Sequence, residues 1–431
     1  MQYYSLRHQA PSVDFRAATI AGQAPDGGLY FPESIPRFSA ELLASLKTLP
    51  QAELALRVMQ PYVGDTIPQA ELARICAETV DFPFPVVPVT DQIAALELFH
   101  GPTLAFKDVG ARFMSRCLGY FSRQQTRKVT VLVATSGDTG GAVANGFLGV
   151  EGVDVVILYP SGKVSPVQER QLTALGQNIT ALEVQGDFDD CQQLVKQAFT
   201  DAAVTSHLTL TSANSINVAR WLPQQLYYLY AWQQWPHPEP PVVAVPSGNF
   251  GNLCAGLLAH ASGLPVRHFI AACNANDAVA SYLRSGSFAA RPAVATLSNA
   301  MDVGNPSNFT RMLELFAHDH ATISGLISGA TVSDETTRAT IQRVYQRHGY
   351  LLDPHGAVAL HALEEYLQQQ PQQHGLFLET AHPVKFPEVV EPLVGRTIEL
   401  PEAVHALMRQ PKRSTPLAPR YEELREHLLS R

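Results

Sequence analysis

Residues 100–108, H-G-P-T-L-A-F-K-D, hold a single lysine among apolar and small neighbours. A protonated lysine cannot attack a carbonyl carbon. Desolvation between Leu104, Ala105 and Phe106 would favour the neutral amine, which can form a Schiff base. An exposed lysine at the start of a helix is the commoner case. Lys107 is therefore a candidate nucleophile only in combination with the glycine-rich stretches further along the chain.

One of these stretches, S-G-N-F-G-N at 247–252, follows an apolar run and precedes a helical pattern. Gly248 and Gly251 let the backbone approach an anion, and the start of the following helix offers unpaired N–H groups. A plain strand-to-helix turn has a similar composition. The loop matches neither G-x-x-x-x-G-K-[ST] nor G-x-G-x-x-G, so the common nucleotide-binding motifs do not describe it. The pattern indicates a phosphate-binding loop of another kind.

A second stretch, T-S-G-D-T-G-G at 135–141, also lies between an apolar run and a helical pattern. Its hydroxyls and backbone donors at a helix start suit a carboxylate ligand. The same side chains are good N-caps. Both interpretations remain open from the residues alone.

Two further polar stretches are candidates for anion binding. Lys163 and Ser165 precede a helical pattern and could bind a second phosphate, although Ser165 followed by Pro166 is also a typical helix start. Asn214 and Arg220 could line a cleft, or belong to an ordinary loop.

A threonine and two histidines complete the candidates. Thr380 follows the apolar run 375–378, where a hydroxyl is often only a turn residue. His355 and His382 carry less weight, because an isolated histidine is more often a surface or core residue than a catalyst.

Alternation of apolar strands with helices predicts an α/β fold built on parallel sheets with both faces covered. The prolines of residues 81–88 exclude a helix there, and the proline-rich stretch 233–241 marks a break. The predicted strands are 94–99, 129–134, 153–159, 180–184, 242–245, 269–273 and 375–378. The predicted helices are 40–49, 69–80, 109–118, 141–149, 166–175, 188–199 and 253–262.

Composition excludes several classes of protein. The 431 residues are 46% hydrophobic and 16% charged, with a net charge of −8, so a nucleic-acid-binding surface is not expected. The five cysteines form no C-x-x-C pair, which argues against a zinc site or disulfide framework and favours a reducing cytoplasm. No signal-peptide pattern is present, and no run of ~20 apolar residues predicts a membrane span. The cysteine spacing predicts no metal site.

Taken together, the motifs resemble those of the threonine synthase family, enzymes that use pyridoxal phosphate and have the tryptophan-synthase-β-like fold (fold type II). They occur in the family's order from residue 26 to 386: D-G-G-L-Y-F-P, E-L-F-H-G-P-T-L-A-F-K-D, A-T-S-G-D-T-G, S-A-N-S-I-N, P-S-G-N-F-G-N, T-L-S-N-A-M-D-V and T-A-H-P-V-K-F. The resemblance covers most of the chain, and several motifs are too long to agree by chance.

The resemblance implies a role for each motif position. Lys107 would form the Schiff base with pyridoxal phosphate, and Thr380 would face the pyridine nitrogen. Asp138 stands where relatives bring an asparagine near the cofactor's 3-hydroxyl. The cofactor phosphate would be held by Gly248, Asn249, Phe250, Gly251 and Asn252. The substrate carboxylate would be held by Thr135, Ser136 and Thr139, and the substrate phosphate by Lys163, Ser165, Asn214 and Arg220.

Two departures from the family's pattern bear on this assignment. Ser161 stands where close relatives often carry a basic residue before Gly-Lys, so phosphate binding there would rest more on Lys163. Glu379 precedes Thr380 where a small residue is common, and an acid beside the pyridine ring would alter its protonation.

The resemblance also implies an organisation and a reaction. We expect an N-terminal region (1–92), a smaller α/β lobe (93–235) and a larger α/β lobe (236–431), with the cofactor between the lobes. The expected reaction converts O-phospho-L-homoserine and water into L-threonine and phosphate. Alternatives are a threonine or serine dehydratase of the same fold and a non-catalytic phosphate-binding relative. The oligomeric state is left open between monomer and homodimer.

Overall fold

The computed structural model describes residues 1–123 and 127–431. Within these two ranges, none of the helices is both long and apolar enough to cross a membrane. The same residues contain no cluster of three or more His, Cys, Asp or Glu side chains that could hold a metal ion.

The N-terminal region combines a small antiparallel sheet with four helices. The sheet has the strand order β2-β1-β3 and was not predicted from the sequence, because its strands are only two to four residues long. The elements of this region are β1 (Gln2–Ser5), β2 (Val13–Asp14), α1 (Phe15–Ala21), β3 (Tyr30–Pro32), α2 (Ala40–Ser45), α3 (Gln51–Val63) and α4 (Gln69–Thr79).

The middle of the chain alternates strands and helices, as the sequence pattern predicts. Every residue of β6 is buried, which is why this strand has no polar alternation. The elements are β4 (Val86–Pro88), β5 (Ile93–Glu97), α5 (Lys107–Ser122), β6 (Val129–Ala134), α6 (Asp138–Phe147), β7 (Val153–Pro160), α7 (Pro166–Thr173), β8 (Ile179–Val184), α8 (Phe188–Thr200), α9 (Ala202–His207), β9 (Thr209–Thr211), α10 (Val218–Trp221) and α11 (Gln225–Gln234).

The last part of the chain begins with a strand, a glycine-rich turn and a helix, again as predicted. Its elements are β10 (Val242–Pro246), α12 (Gly251–Ser262), β11 (His268–Cys273), α13 (Ala278–Ser285), α14 (Phe309–Leu315), α15 (His320–Leu326), β12 (Ile327–Thr331), α16 (Asp334–His348), α17 (Pro354–Gln369), β13 (Gly375–Glu379), α18 (Pro387–Val394), α19 (Glu402–Met408), β14 (Thr415–Leu417) and α20 (Tyr421–Leu429).

Two larger sheets carry the fold. The first has five strands in the order β14-β8-β7-β6-β9, and all of its pairs are parallel. The second has six strands in the order β12-β11-β10-β13-β5-β4, all parallel except the β4 edge. The proline-rich stretch at 81–88 supplies that edge, where a missing N–H is tolerated. The prediction of parallel sheets covered by helices is confirmed.

Two stretches cross the predicted lobe boundaries. The strand β5, placed in the smaller lobe by the sequence division, pairs with β13 in the six-stranded sheet. At the other end, β14 leaves the larger lobe and adds an edge to the five-stranded sheet beside β8. Periodicity identifies a strand but not its partner, so a division at single positions in the chain could not include these crossings.

One apolar core joins the N-terminal region to both lobes. The ring of Phe31 stacks on Trp221 at 5.8 Å, and Phe84 stacks on Tyr230 at 5.0 Å. These four rings belong to the same buried cluster as Leu253 of α12. The N-terminal region is thus packed into the body of the molecule and is not a separate appendage.

Candidate active site

Lys107 is the first residue of α5, and the turn before it runs along the end of β13. Leu104 takes up the left-handed conformation (φ 59°), which turns the chain sharply. The next contact is made by Phe106, whose N–H donates to the carbonyl oxygen of Thr380 at 2.8 Å. This pairing brings Lys107 beside Thr380, although the two lie in distant parts of the sequence.

A cavity of about 490 Å³ opens where β6, β10 and β13 end. The carboxyl ends of parallel strands are the usual place for a ligand site in such folds. Most of the residues proposed from the sequence line this cavity: Lys107, Thr135, Ser136, Asp138, Thr139, Asn214, Arg220, Gly248, Asn249, Phe250, Gly251, Asn252 and Thr380.

Lys163 and Ser165 are not among the residues that line the cavity. Lys163 is exposed. The hydroxyl of Ser165 accepts from the Gln168 N–H at 3.3 Å, and the Gln168 side chain accepts from the Ser165 N–H at 3.1 Å. This reciprocal capping box at the start of α7 explains Ser165 structurally. The alternative interpretation of Ser165 as an N-cap is therefore confirmed, and the structure gives Lys163 and Ser165 no contact with the site.

The surroundings of Lys107 favour its neutral amine. Burial lowers its pKa to about 8; Asp138 acts in the opposite direction and raises this pKa, whereas Arg220 and Lys385 lower it. A lysine with this pKa has a substantial neutral fraction near neutral pH and can act as nucleophile or base.

The loop after β10 offers an anion site at the start of α12. Phe250 adopts a left-handed conformation (φ 62°), and no side chain caps the helix there. Asn252 is buried, and its Nδ2 has no hydrogen-bond partner among the described residues. A helix N-terminus with a free amide donor beside it fits a phosphate group.

Neighbouring segments hold this loop in place. Asn249 donates to the Ser215 hydroxyl at 2.8 Å and accepts from the Ser307 N–H at 2.6 Å. At Gly248, an added Cβ would lie 2.6 Å from the Cα of Met301, so only glycine allows this close approach. The sequence analysis did not single out Ser215, although it lies within the quoted motif S-A-N-S-I-N.

The loop before α6 divides its hydroxyls between structure and cavity. The Thr135 hydroxyl accepts from the N–H groups of Gly137 and Gly140 at 3.0 and 2.9 Å, so it braces the turn. Ser136 and Thr139 are partly exposed at the cavity wall. These two side chains are therefore the better placed donors for a carboxylate.

Arg220 brings positive charge to the same cavity. It is 2% exposed, one guanidinium nitrogen donates to the carbonyl of Ala213, and Nε has no hydrogen-bond partner in the described part of the chain. Burial lowers its pKa to about 10, so it remains a cation at neutral pH. Asn214 lies on the same wall. The cavity walls also include Lys196 and Arg291, which the sequence analysis did not identify. Both side chains are exposed, and neither lies in one of the quoted motifs.

Asp138, the first residue of α6, forms an ion pair that the sequence analysis missed. The Lys385 Nζ lies 2.6 Å from its Oδ1, and Gln168 donates to the same oxygen at 3.0 Å. Burial alone would raise the pKa of Asp138, but Lys385 and Lys107 outweigh it and hold that pKa below its ordinary value. Lys385 lies in the quoted motif T-A-H-P-V-K-F, where its apolar neighbours were the available signal.

Glu379 faces away from the cavity, because adjacent residues of a strand point to opposite sides. Its carboxylate accepts from the Asp353 N–H at 2.6 Å and is fully buried. Burial, with Asp353 nearby, raises the pKa of Glu379 well above its ordinary value. Glu379 is therefore not among the residues that line the cavity, and it is not the acid beside the pyridine ring that the sequence suggested.

His355 reaches the cavity wall from the start of α17. Its Nδ1 lies 2.5 Å from the Asp353 carboxylate, and its Nε2 accepts from the Ala300 N–H at 3.3 Å. The imidazole thus holds the loop that contains Ala300 and Met301 against the site. His382, which the sequence analysis treated equally, accepts from the Val384 N–H at 3.1 Å and caps a short turn.

The fold and the site together define a fold type II enzyme that depends on pyridoxal phosphate. Residues 90–377 match the family model described as pyridoxal-phosphate dependent enzyme. Residues 2–80 match the model for the threonine synthase N terminus, and residues 356–428 the model for the threonine synthase C-terminal part.

Relatives that match most or all of the chain identify one family within this class of enzymes. A threonine synthase of Serratia marcescens is 45% identical over 431 residues, covering 100% of this chain and 99% of the relative. The one from Escherichia coli K12 is 46% identical over 404 residues, with 93% of each chain covered. The chain belongs to the threonine synthase family.

Solved structures agree with this assignment. The crystal structure of threonine synthase from Escherichia coli superposes with a TM-score of 0.93 at 44% identity and covers 100% of both chains. The structure of pyridoxal-phosphate-bound threonine synthase from Brucella melitensis has a TM-score of 0.92 at 37% identity, covering 100% of this chain and 99% of that one.

Proposed function

We propose that this enzyme converts O-phospho-L-homoserine and water into L-threonine and phosphate. The observation that supports this most is the meeting, in one cavity, of a half-buried lysine with lowered pKa and an uncapped helix start with a free Asn252 amide. A nucleophilic amine and a phosphate site are the two features that a pyridoxal phosphate enzyme needs.

The residues present fit the cofactor. Lys107 would hold it covalently through Nζ, and the loop 248–252 would bind its phosphate. Thr380 would meet the pyridine nitrogen with a hydroxyl, and Asp138 would lie near the 3-hydroxyl. When bound, pyridoxal phosphate supplies an electron sink that delocalises the negative charge developing on the substrate.

The substrate's two anionic groups have separate sites on the cavity wall. Ser136 and Thr139, at the start of α6, would bind the carboxylate. Asn214 and Arg220 would bind the phosphate. The planar guanidinium of Arg220 stays charged and can donate two hydrogen bonds to a phosphate. Holding both ends fixes the carbon chain between them beside Lys107.

Lys107 would move the protons. Its neutral amine takes the Cα proton, a second proton leaves Cβ, and the Cγ–O bond breaks to release phosphate. Water then adds its hydroxyl to Cβ, and protons return to Cα and Cγ. An amine with a pKa of about 8 can both accept and return a proton near neutral pH.

The test is an absorbance spectrum of purified protein with O-phospho-L-homoserine, beside the variant Lys107→Ala. We expect the wild type to show the band of a covalently bound cofactor and to release threonine and phosphate in equal amounts. The variant Lys107→Ala should lack the covalent band and lose turnover. Lys128→Ala is the matched control, since Lys128 lies on the surface opposite Asp154.

Two outcomes would contradict the proposal. A bound-cofactor band with only keto acid and ammonia as products would replace the reaction by that of a dehydratase. No band at all, even with added pyridoxal phosphate, would instead indicate a non-catalytic phosphate-binding relative.

We also propose that the enzyme works in the cytoplasm. All five cysteines are buried free thiols, a state that a reducing compartment maintains. Burial raises the pKa of Cys76 and Cys254 to about 12, which keeps both thiols protonated and unreactive. Recovery of the enzyme from an oxidising compartment on cell fractionation would contradict this placement.

A further inference from the structure

Lys385 is a second lysine beside the cofactor site, and it is wholly enclosed. It ends the short turn Pro383–Lys385 and has 0% of its surface exposed. Its Nζ lies 2.6 Å from the Asp138 carboxylate and donates to the Thr103 carbonyl at 2.8 Å. A buried ammonium group with this geometry is tolerated because its charge is paired.

The ion pair connects the two sheets at the level of Lys107. Asp138 begins the helix that follows β6, and Lys385 lies in the turn that follows β13. Gln168 of α7 supplies a third contact to the Asp138 carboxylate. A Cβ at Gly137 would lie 2.5 Å from the Gln168 side chain, so the glycine makes room for that contact.

Asp138 and Lys385 act on Lys107 with opposite sign. Burial is the largest influence on the pKa of Lys107; Asp138 raises this pKa, and Lys385 lowers it. An unpaired carboxylate in this position would keep Lys107 protonated and unable to attack a carbonyl carbon. The positive charges of Arg220 and Lys385 oppose that effect, and of the two only Lys385 is paired directly with the carboxylate.

The other charged groups nearby do not replace Lys385 in this task. Arg220 is a cation on the same wall and also lowers the pKa of Lys107, but it donates to the Ala213 carbonyl and makes no ion pair with Asp138. Asp108 accepts from both the N–H and the hydroxyl of Thr103, and burial raises its pKa to about 6. Burial lowers the pKa of His382 to about 4, so it is neutral at working pH.

We propose that Lys385 is a positioning residue of the active site, which neutralises Asp138 so that Lys107 can lose its proton near neutral pH. The inference rests on the proposed covalent role of Lys107. It gives the Lys385–Asp138 pair a purpose beyond stability, because a buried ion pair by itself adds little to the free energy of unfolding.

The test is a pH titration of the holoenzyme's cofactor absorbance, which reports the protonation of the nitrogen of Lys107. We expect Lys385→Met to raise the midpoint by about one unit or more, a tenfold change in proton affinity. The variant Asp138→Asn should lower it. The double variant, which leaves no buried charge unpaired, should return close to the wild-type midpoint.

The control is Lys412→Met, which removes a lysine paired with Glu169 and Glu183 on the surface. It should leave the midpoint unchanged. A purely structural Lys385 would show as loss of thermal stability in Lys385→Met with no change of midpoint, and this result would overturn the proposal.

If Lys385→Met does not fold, the double variant Lys385→Met with Asp138→Asn provides the test. A midpoint at the wild-type value supports the proposal, whereas the midpoint of Asp138→Asn alone contradicts it. Threonine and phosphate release is measured separately on the wild type. Failure of that assay would overturn the proposed function and leave the titration readable.

Discussion

At the scale of single residues, the proposed covalent role of Lys107 makes the pKa of this lysine the property that should set the pH for cofactor capture. The pKa of Lys107 lies near 8, chiefly because of burial, so deprotonation is largely complete above that pH. The rate at which apoprotein binds pyridoxal phosphate should rise about tenfold per pH unit below pH 8 and level off above it. Stopped-flow absorbance would measure this rate. Free Nα-acetyl-lysine, whose rate should still rise at pH 10, is the control, and the same continued rise in the protein would contradict the assignment.

A single glycine makes space for the buried acid behind the site. A Cβ on Gly356 would lie 1.4 Å from a Glu379 carboxylate oxygen. We expect Gly356→Ala to lower the free energy of unfolding by about 1–3 kcal/mol, as overpacked cores do. Gly325→Ala is the control, since its Cβ would meet nothing within 4 Å. Urea unfolding is the measurement. Restoration by adding Glu379→Ala would trace the loss to this contact, and equal midpoints for the two glycine variants would refute it.

The residues that the sequence revealed are those whose chemistry is local. Lys107 and the loop 247–252 could be proposed because apolar neighbours and glycines beside a helix start have a direct physical meaning, and the structure brings them to one cavity. Lys385 was missed because its proposed role depends on Asp138, which only tertiary structure brings within 2.6 Å. Ser165 carried two meanings in the sequence, and the capping bond to Gln168 supports one of them.

At the scale of elements, the start of α7 distinguishes capping from substrate binding. Ser165→Ala removes the N-cap and should lower the free energy of unfolding by about 1 kcal/mol. Ser165→Asp keeps a capping oxygen and should therefore retain stability. Its negative charge would repel a phosphate bound at this position. Because Ser165 does not line the cavity, we expect the KM for O-phospho-L-homoserine to stay unchanged. Urea unfolding and steady-state kinetics would measure the two effects. A large rise in KM for the aspartate variant would instead restore Ser165 to the phosphate site.

The elements themselves could be predicted from periodicity, whereas their partners could not. The strands predicted at 129–134 and 153–159 match β6 and β7 within one residue. The strand β5 was also predicted, but its pairing with β13 joins parts of the chain that no local pattern connects. Three-residue strands such as β14 are too short to show alternation, so the C-terminal edge of the five-stranded sheet was not predicted.

At the scale of the whole molecule, Arg311 ties three regions together. Its guanidinium is fully buried and donates to Tyr30 O at 3.1 Å, Ile216 O at 2.6 Å and Ser215 O at 3.0 Å. Burial lowers its pKa to about 9, which shows how costly the site is for a charge. These carbonyls belong to the N-terminal region and to the loop that borders the cavity.

Replacement of Arg311 should therefore loosen the molecule as a unit. Arg311→Met leaves several buried carbonyls without a donor, so we expect a loss of about 3 kcal/mol or more in the free energy of unfolding, measured in urea. Arg284→Met, which removes an exposed arginine 3.4 Å from Asp277, should cost less than about 1 kcal/mol. Similar losses for both variants would show that Arg311 does not hold the regions together.

The crossing of β5 and β14 between the sheets has a consequence for biosynthesis. A ribosome releases the N-terminal part of a chain first, and domains tend to fold as they emerge. Strand β5 has no partner on its β13 side until residues 375–379 have been made. Strand β8 likewise has no partner on its β14 side until residues 415–417 have been made. Thr380 reaches Lys107 only at that late stage. Residues 1–380 must therefore all be made before the proposed cofactor site can be complete, and a product truncated before residue 375 would expose an open sheet edge to its neighbours and to proteases.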